Sequence, residues 1–258
     1  MDQSTLFFLL LFAMFMWPQL SFAMLQAKRR AIIRMIGRKH KSEVITLIHR
    51  QEKLAFLGLP LFRFIDMDDA EMVQRRIRTM PAHKNIDIII HSTGGIVLAA
   101  AQIARAIRDH PAKIRVIVPH YAMSGGTLIA LAADEILMDE HAVLGPVDPQ
   151  ILSLKGAIPV RVMMEVAKIK GKSASDETLF ISKVGERAVN EVRSVIEELL
   201  DGRNKDKAKI ANYLTSGKIT HDFPITAKEA QKLGLPVKVG IPKEVYDLMD
   251  TYQTHYEQ

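Results

Sequence analysis

The sequence predicts an α/β fold, and three observations carry that reading. Strand-like and helix-like patterns alternate through most of the 258 residues, the arrangement that builds a parallel sheet flanked by helices. The strands are nearly continuous apolar runs, such as Ile86-Asp87-Ile88-Ile89-Ile90 and Ile114-Arg115-Val116-Ile117-Val118, as expected when both faces of a sheet are covered. Each of these runs leads into a glycine-rich turn and then a helix. The first turn is His91-Ser92-Thr93-Gly94-Gly95 and the second is Tyr121-Ala122-Met123-Ser124-Gly125-Gly126.

In chain order, Val44 to His49 and Phe62 to Ile65 read as the first strands, with Arg50 to Pro60 as their connection. A helix begins at Asp66. Asp66, Asp68 and Asp69 crowd its first turn, where acidic groups are favoured, and Met67, Ala70, Val73 and Ile77 form its apolar stripe. Pro81 closes it. The helix from Ile96 to His110 is rich in alanine, which permits close packing, and Pro111 ends it. After the second glycine turn come a helix over Thr127 to Ala133 and a strand over Glu135 to Met138, leading into Leu144-Gly145-Pro146-Val147-Asp148-Pro149. A long amphipathic helix follows from Asp176 to Leu200, then a shorter one from Asp206 to Leu214. Thr226 and Glu229 form the capping box of another helix, which Gly234 closes.

Leu6 to Leu25 carries no charge, and twenty helical residues span roughly 30 Å, about the hydrocarbon thickness of a bilayer. The sequence therefore predicts one N-terminal transmembrane helix within residues 1–27, with Pro18 as a tolerated kink. Ser21-Phe22-Ala23 resembles a signal-peptide cleavage site, but no basic residue precedes the apolar run. The cations follow it instead, so the segment reads as an uncleaved single-pass anchor with the remaining domain on the cytoplasmic side.

The net charge of +6 is local. Lys28, Arg29, Arg30, Arg34, Arg38, Lys39 and Lys41 form a basic juxtamembrane segment over residues 28–41, which leaves 28 residues of each sign from Ser42 onward. A neutral body disfavours nucleic-acid binding. The collar itself reads as a solvated stop signal or as a contact to anionic headgroups. The absence of cysteine excludes disulfides, thiolate metal sites and a cysteine nucleophile. No phosphate-binding loop is recognisable, and no metal or other cofactor is called for.

At the carboxyl edge of a parallel sheet, strand ends and helix starts converge on one crevice. The two glycine turns then bring a hydroxyl and a backbone-donor loop together. A serine hydroxyl needs a base and donors for the oxyanion formed on attack. Ser124 fits the nucleophile, and the N–H of Gly125 with one from Gly94-Gly95 fits the oxyanion hole.

These residues resemble the Clp protease/crotonase superfamily. Within its membrane-bound, signal-peptide-peptidase-like branch they are similar to the serine dehydrogenase proteinases. Pro119 to Thr127, Asp139 to Gln150, and Thr220-His221-Asp222 with Thr226 to Val237 carry the likeness, which covers roughly Val44 to Leu248 and the N-terminal segment. It implies a spiral of ββα units over residues 42–258, a Ser124 acyl-enzyme, peptide or membrane-protein substrates and a homo-oligomer. It also implies a lysine base some forty to fifty residues beyond the serine. Lys168, Lys170 and Lys172 fall there, with Lys168 first because of its apolar neighbours. A lysine base must be neutral, which costs roughly 4 kcal/mol and requires burial.

His221 is the alternative base, since Ser124, Asp148 and His221 stand in the chain order of α/β-hydrolase triads. His49, His83, His91, His110, His120, His141 and His255 read mostly as loop or surface groups. An alternative function on the same fold is a catalytically incomplete scaffold or adaptor, and a third is an acyl-CoA enzyme that uses the oxyanion loops alone.

Overall fold

The structure is a computed structural model that describes residues 3–49, 63–153 and 156–252. Among them, helix α1 (Gln3–His40) leads into strand β1 (Ser42–Ile48), followed by α2 (Met67–Thr79), β2 (Asn85–His91), α3 (Val97–Arg108) and β3 (Ile114–Val118). Next come β4 (Tyr121–Ala122), α4 (Gly125–Leu131), β5 (Glu135–Met138), β6 (Val143–Leu144), and the hairpin of β7 (Gln150–Ser153) and β8 (Gly156–Pro159). The chain continues through α5 (Val160–Lys170), α6 (Asp176–Leu199), α7 (Lys207–Thr215), β9 (Ile225–Thr226), α8 (Ala227–Lys232), β10 (Val237–Val239) and α9 (Lys243–Asp250). The expected connection from Arg50 to Pro60 lies outside the described residues, as does the start of the expected strand at Phe62. Of that strand, Ile65 is described as a bridge to Gly95.

Five strands form one parallel sheet in the order β1-β2-β3-β5-β10. Alternate residues point to opposite faces, so the apolar runs supply two cores. Ile88, Ile90 and Val116 join a large cluster with residues of α2, α3, α4 and α6, such as Val73, Ile103, Ile129 and Ile196. Ile89 and Ile117 face a smaller cluster with Ile36 of α1 and Val245, Leu248 and Met249 of α9. Each fully buried aliphatic side chain contributes about 1.5–3 kcal/mol. This two-sided burial explains why the strands lack polar alternation. The alanines of α3 allow close packing: Ala99, Ala100 and Ala104 are fully buried.

The capping box read from sequence is present: Thr226 and Glu229 exchange side-chain and backbone bonds at the start of α8. Asp66 and Asp69 form another at the start of α2. Two elements depart from expectation. The stretch preceding Asp176 is helix α5, which packs Val160 against Gly185 of α6. A Cβ on Gly185 would lie 2.8 Å from the Val160 Cβ, so the two helices close only on a glycine.

The other departure is the N-terminal segment. Among the described residues, no helix is long and apolar enough to cross a membrane. This overturns the expected transmembrane helix, the bilayer as a partner and the single-pass topology with a cytoplasmic catalytic domain. Pro18, Gln19 and Ser21 interrupt the apolar run, and the cations from Lys28 onward follow it. The basic segment of α1 instead makes protein contacts. The Arg29 guanidinium is buried, donates to the Thr251 carbonyl at 2.7 Å and stacks 3.7 Å above the Tyr252 ring. Lys39 pairs with Glu244 of α9.

Candidate active site

The register of the main sheet aligns the ends of β2 and β3: Ile89 pairs with Ile117, and β2 runs on to His91 while β3 ends at Val118. Both glycine turns therefore emerge at one edge, as the sequence predicted. Backbone bonds then join them. Ser92 N–H donates to the Tyr121 carbonyl at 3.2 Å, and Met123 N–H donates to the Ser92 carbonyl at 2.9 Å. Ser124 follows directly.

Ser124 is half-buried, with φ 48° and ψ −112°. A non-glycine residue held at positive φ costs on the order of 1–3 kcal/mol and persists only when its surroundings enforce it. Here Gly126 N–H donates to the Met123 carbonyl at 2.7 Å and Leu128 N–H to the Ser124 carbonyl at 3.0 Å, which fixes the turn from both sides.

The glycine loop packs against this turn so closely that it admits no side chain. A Cβ on Gly94, whose φ is +112°, would lie 2.7 Å from the Ser124 Cβ. A Cβ on Gly95 would lie 2.2 Å from the Ile65 carbonyl oxygen. Ile65 brackets the loop, donating to the Gly94 carbonyl and accepting from Ile96 N–H, each at 2.8 Å. The amides divide their duties. Gly94 N–H is spent internally, donating to Ser92 Oγ at 3.2 Å. The amides of Gly95 and Gly125 donate to no acceptor among the described residues. They are neighbours: a Cβ on Gly125 would sit 3.5 Å from Gly95 N. Two unspent N–H groups beside a strained serine are the components an oxyanion hole requires.

A second small sheet, in the order β4-β6-β9, brings three distant segments together. Ala122 pairs with Leu144 in parallel, and Leu144 pairs with Ile225 in antiparallel sense. Ser124 lies two residues beyond Ala122, Asp148 four beyond Leu144, and His221 four before Ile225. With these strand directions, the segments that carry the three residues leave the small sheet at the same end. Thr127 staples two of the segments: its buried hydroxyl donates to the Ala122 carbonyl at 2.7 Å and accepts from Gly145 N–H at 2.9 Å. His221 Nδ1 bonds Asp148 Oδ1 at 2.7 Å, with Asp148 buried and His221 half-buried. The Asp148 hydrogen bond outweighs the opposing effect of burial and raises the pKa of His221 above the ordinary histidine value.

Of the three candidate lysines, Lys168 and Lys170 are exposed on the last turn of α5, and Lys172 is exposed just beyond it. His49 ends the first predicted strand and stands among histidines that read mostly as loop or surface groups, so the sequence assigns it no role. The structure buries it at the end of β1, bonded to Ser92 and Asp69. The partners lie 43 and 20 residues away in the chain, so no local pattern announces the contact.

Among known proteins, the chain is 48% identical over 258 residues to the uncharacterized protein MJ0137 of Methanocaldococcus jannaschii, covering 99% of this chain and 89% of that one. A second protein of that organism, MJ1495, is 46% identical over 248 residues, with 95% and 84% covered. Among solved structures, an alanine mutant of the 1510-N membrane-bound stomatin-specific protease in complex with a substrate peptide is similar. Its TM-score is 0.50 at 24% sequence identity, over 71% of this chain and 74% of that chain. That likeness concerns the fold alone. A comparison with protein families matches residues 1–258 to the ClpP-like SDH-type serine proteinases. The chain belongs to the ClpP-like SDH-type serine proteinase family.

Proposed function

We propose that this chain is a serine peptidase in which Ser124 attacks the scissile carbonyl and His221, held by Asp148, is the general base. The observation that carries the proposal is the strained Ser124 turn packed against Gly94 and Gly95, with the neighbouring amides of Gly95 and Gly125 donating to no acceptor among the described residues. His221 Nε2 takes the Ser124 hydroxyl proton while Nδ1–H donates to Asp148, a carboxylate that can only accept. The tetrahedral oxyanion accepts from Gly95 and Gly125 N–H. Collapse breaks the C–N bond, and the imidazolium returns its proton to the leaving amine. Water then attacks the acyl-enzyme by the same route in reverse.

Gly94 serves this chemistry by its shape, since its own amide is already bonded. His221 is preferred to Lys168, the base implied by the family resemblance, because a buried carboxylate already orients it. The peptide held by the stomatin-specific protease supports a peptide substrate for this chain as well.

The test is hydrolysis of a fluorogenic peptide library by the full chain and its Ser124→Ala, His221→Ala and Lys168→Ala variants. The proposal predicts that the first two lose at least a thousandfold in kcat/KM and that Lys168→Ala stays within threefold of the unsubstituted protein. Loss in Lys168→Ala with retention in His221→Ala would establish a Ser124–Lys168 dyad instead.

A further inference from the structure

A second serine–histidine–aspartate chain lies directly beneath the glycine loop. His49 Nδ1 is 2.9 Å from Ser92 Oγ, and His49 Nε2 is 3.1 Å from Asp69 Oδ2. Its connectivity is that of a hydrolytic triad, yet Ser92 is fully buried and substrate cannot reach it. What Ser92 does reach is Gly94, whose N–H donates to Ser92 Oγ at 3.2 Å. Its backbone meanwhile pairs with Tyr121 and Met123, the residues leading into Ser124.

We propose that Asp69 and His49 form a positioning relay that acts through the Ser92 hydroxyl to hold the Gly94-Gly95 loop at the distance from Ser124 that oxyanion binding requires. The proposal rests on the reading of that loop as the oxyanion hole.

The Asp69 carboxylate only accepts, so Nε2 donates to it. In the relay, Nδ1 accepts from Ser92 Oγ–H. The hydroxyl's single proton is thereby committed, and its lone pairs face Gly94 N–H. Without His49, the hydroxyl rotates freely and its proton competes for the Gly94 carbonyl, 3.3 Å away.

Asp69 is itself anchored. Its side chain accepts from Asp66 N–H at 3.1 Å, and its own N–H donates to Asp66 at 3.0 Å. Burial pushes its carboxyl upward, but the His49 and Asp66 bonds outweigh this and hold it below the usual value. The start of α2 thus fixes the ring, the ring orients the hydroxyl, and the hydroxyl holds the loop. A packing role for His49 would need only its volume. A relay needs a lone pair at the Nδ1 position.

Two measurements on the full chain test this. Hydrogen exchange of the Gly94 amide should accelerate at least tenfold in His49→Ala and in Ser92→Ala, while the Ile88 to Ile90 amides of the sheet stay protected. On a fluorogenic peptide, His49→Ala should lower kcat at least tenfold with KM within twofold. Ser92→Ala should match it, and the double variant should be no worse than either, as for residues that act as a unit. His49→Asn, which places an acceptor near the Nδ1 position, should recover part of kcat, whereas His49→Gln should not.

Unchanged Gly94 exchange overturns the relay whatever the activity does. Unchanged kcat, a rise in KM alone, or losses that multiply in the double variant overturn its catalytic role. Failure of the underlying oxyanion reading is distinguishable, because it would appear as retained kcat in folded Gly94→Ala.

Discussion

Substitution of Gly94 by alanine is the sharpest perturbation the site offers, because it adds one methyl group between the loop and the nucleophile. The new Cβ would lie 2.7 Å from the Ser124 Cβ, 3.1 Å from the Met123 carbonyl oxygen and 3.2 Å from the Gly125 nitrogen. Two of these neighbours are backbone atoms of the nucleophile turn and cannot rotate away. The loop must therefore withdraw, which moves Gly95 N–H from the oxyanion. Losing one such donor costs about 3–4 kcal/mol of barrier, a factor of 10²–10³ in kcat. The φ of +112° adds on the order of 1–3 kcal/mol of backbone strain to the fold. At about 2–4 °C per kcal/mol for a domain of this size, the melting temperature should fall by roughly 2–12 °C. Stopped-flow hydrolysis below the transition, paired with calorimetry, separates the two effects. A folded Gly94→Ala protein within threefold of the unsubstituted kcat would refute the assignment of this loop to the oxyanion.

Further outcomes follow from the site and from the core. The acidic limb of kcat/KM against pH should lie above 6.5, because Asp148 raises the His221 pKa and the base works only when neutral. In Asp148→Asn the limb should move down and the plateau should fall. The stability linkage runs with the raised pKa: the His221–Asp148 contribution is full below about pH 6.5 and is lost as pH rises through the folded value, which pH-resolved melting of the two proteins would display. In the core, Ile196→Ala on α6 empties a fully buried site and should cost about 2–5 kcal/mol of unfolding free energy in urea without altering kcat.

The parallel sheet was readable because its strands are covered on both faces and so carry continuous apolar runs. The helix starts were readable because capping is local, as Asp66 with Asp69 and Thr226 with Glu229 illustrate. Ser124 and its glycines were also legible, since backbone close approach and positive φ impose residue types on a short stretch. What sequence could not supply was set by contacts distant along the chain. Arg29 reads as one cation among seven, yet it is buried on Thr251, 222 residues away. His49 reads as a strand-end histidine until Asp69 and Ser92 close on it. The preference for a lysine base came from chain separation and family resemblance. The exposure of Lys168 on α5 and the bond between His221 and Asp148, 73 residues apart, are tertiary facts. Composition also suggested a bilayer span, but among the described residues α1 does not present one.

The central claim is that Ser124 becomes covalently attached during turnover, and the direct measurement is the site of the adduct. The full chain is treated with a fluorophosphonate probe, digested and mapped by mass spectrometry. The account predicts one phosphonylated peptide spanning Ser124, absent in Ser124→Ala and formed at least tenfold more slowly in Gly94→Ala. An adduct on another residue, or equal labelling of Ser124→Ala, would contradict it.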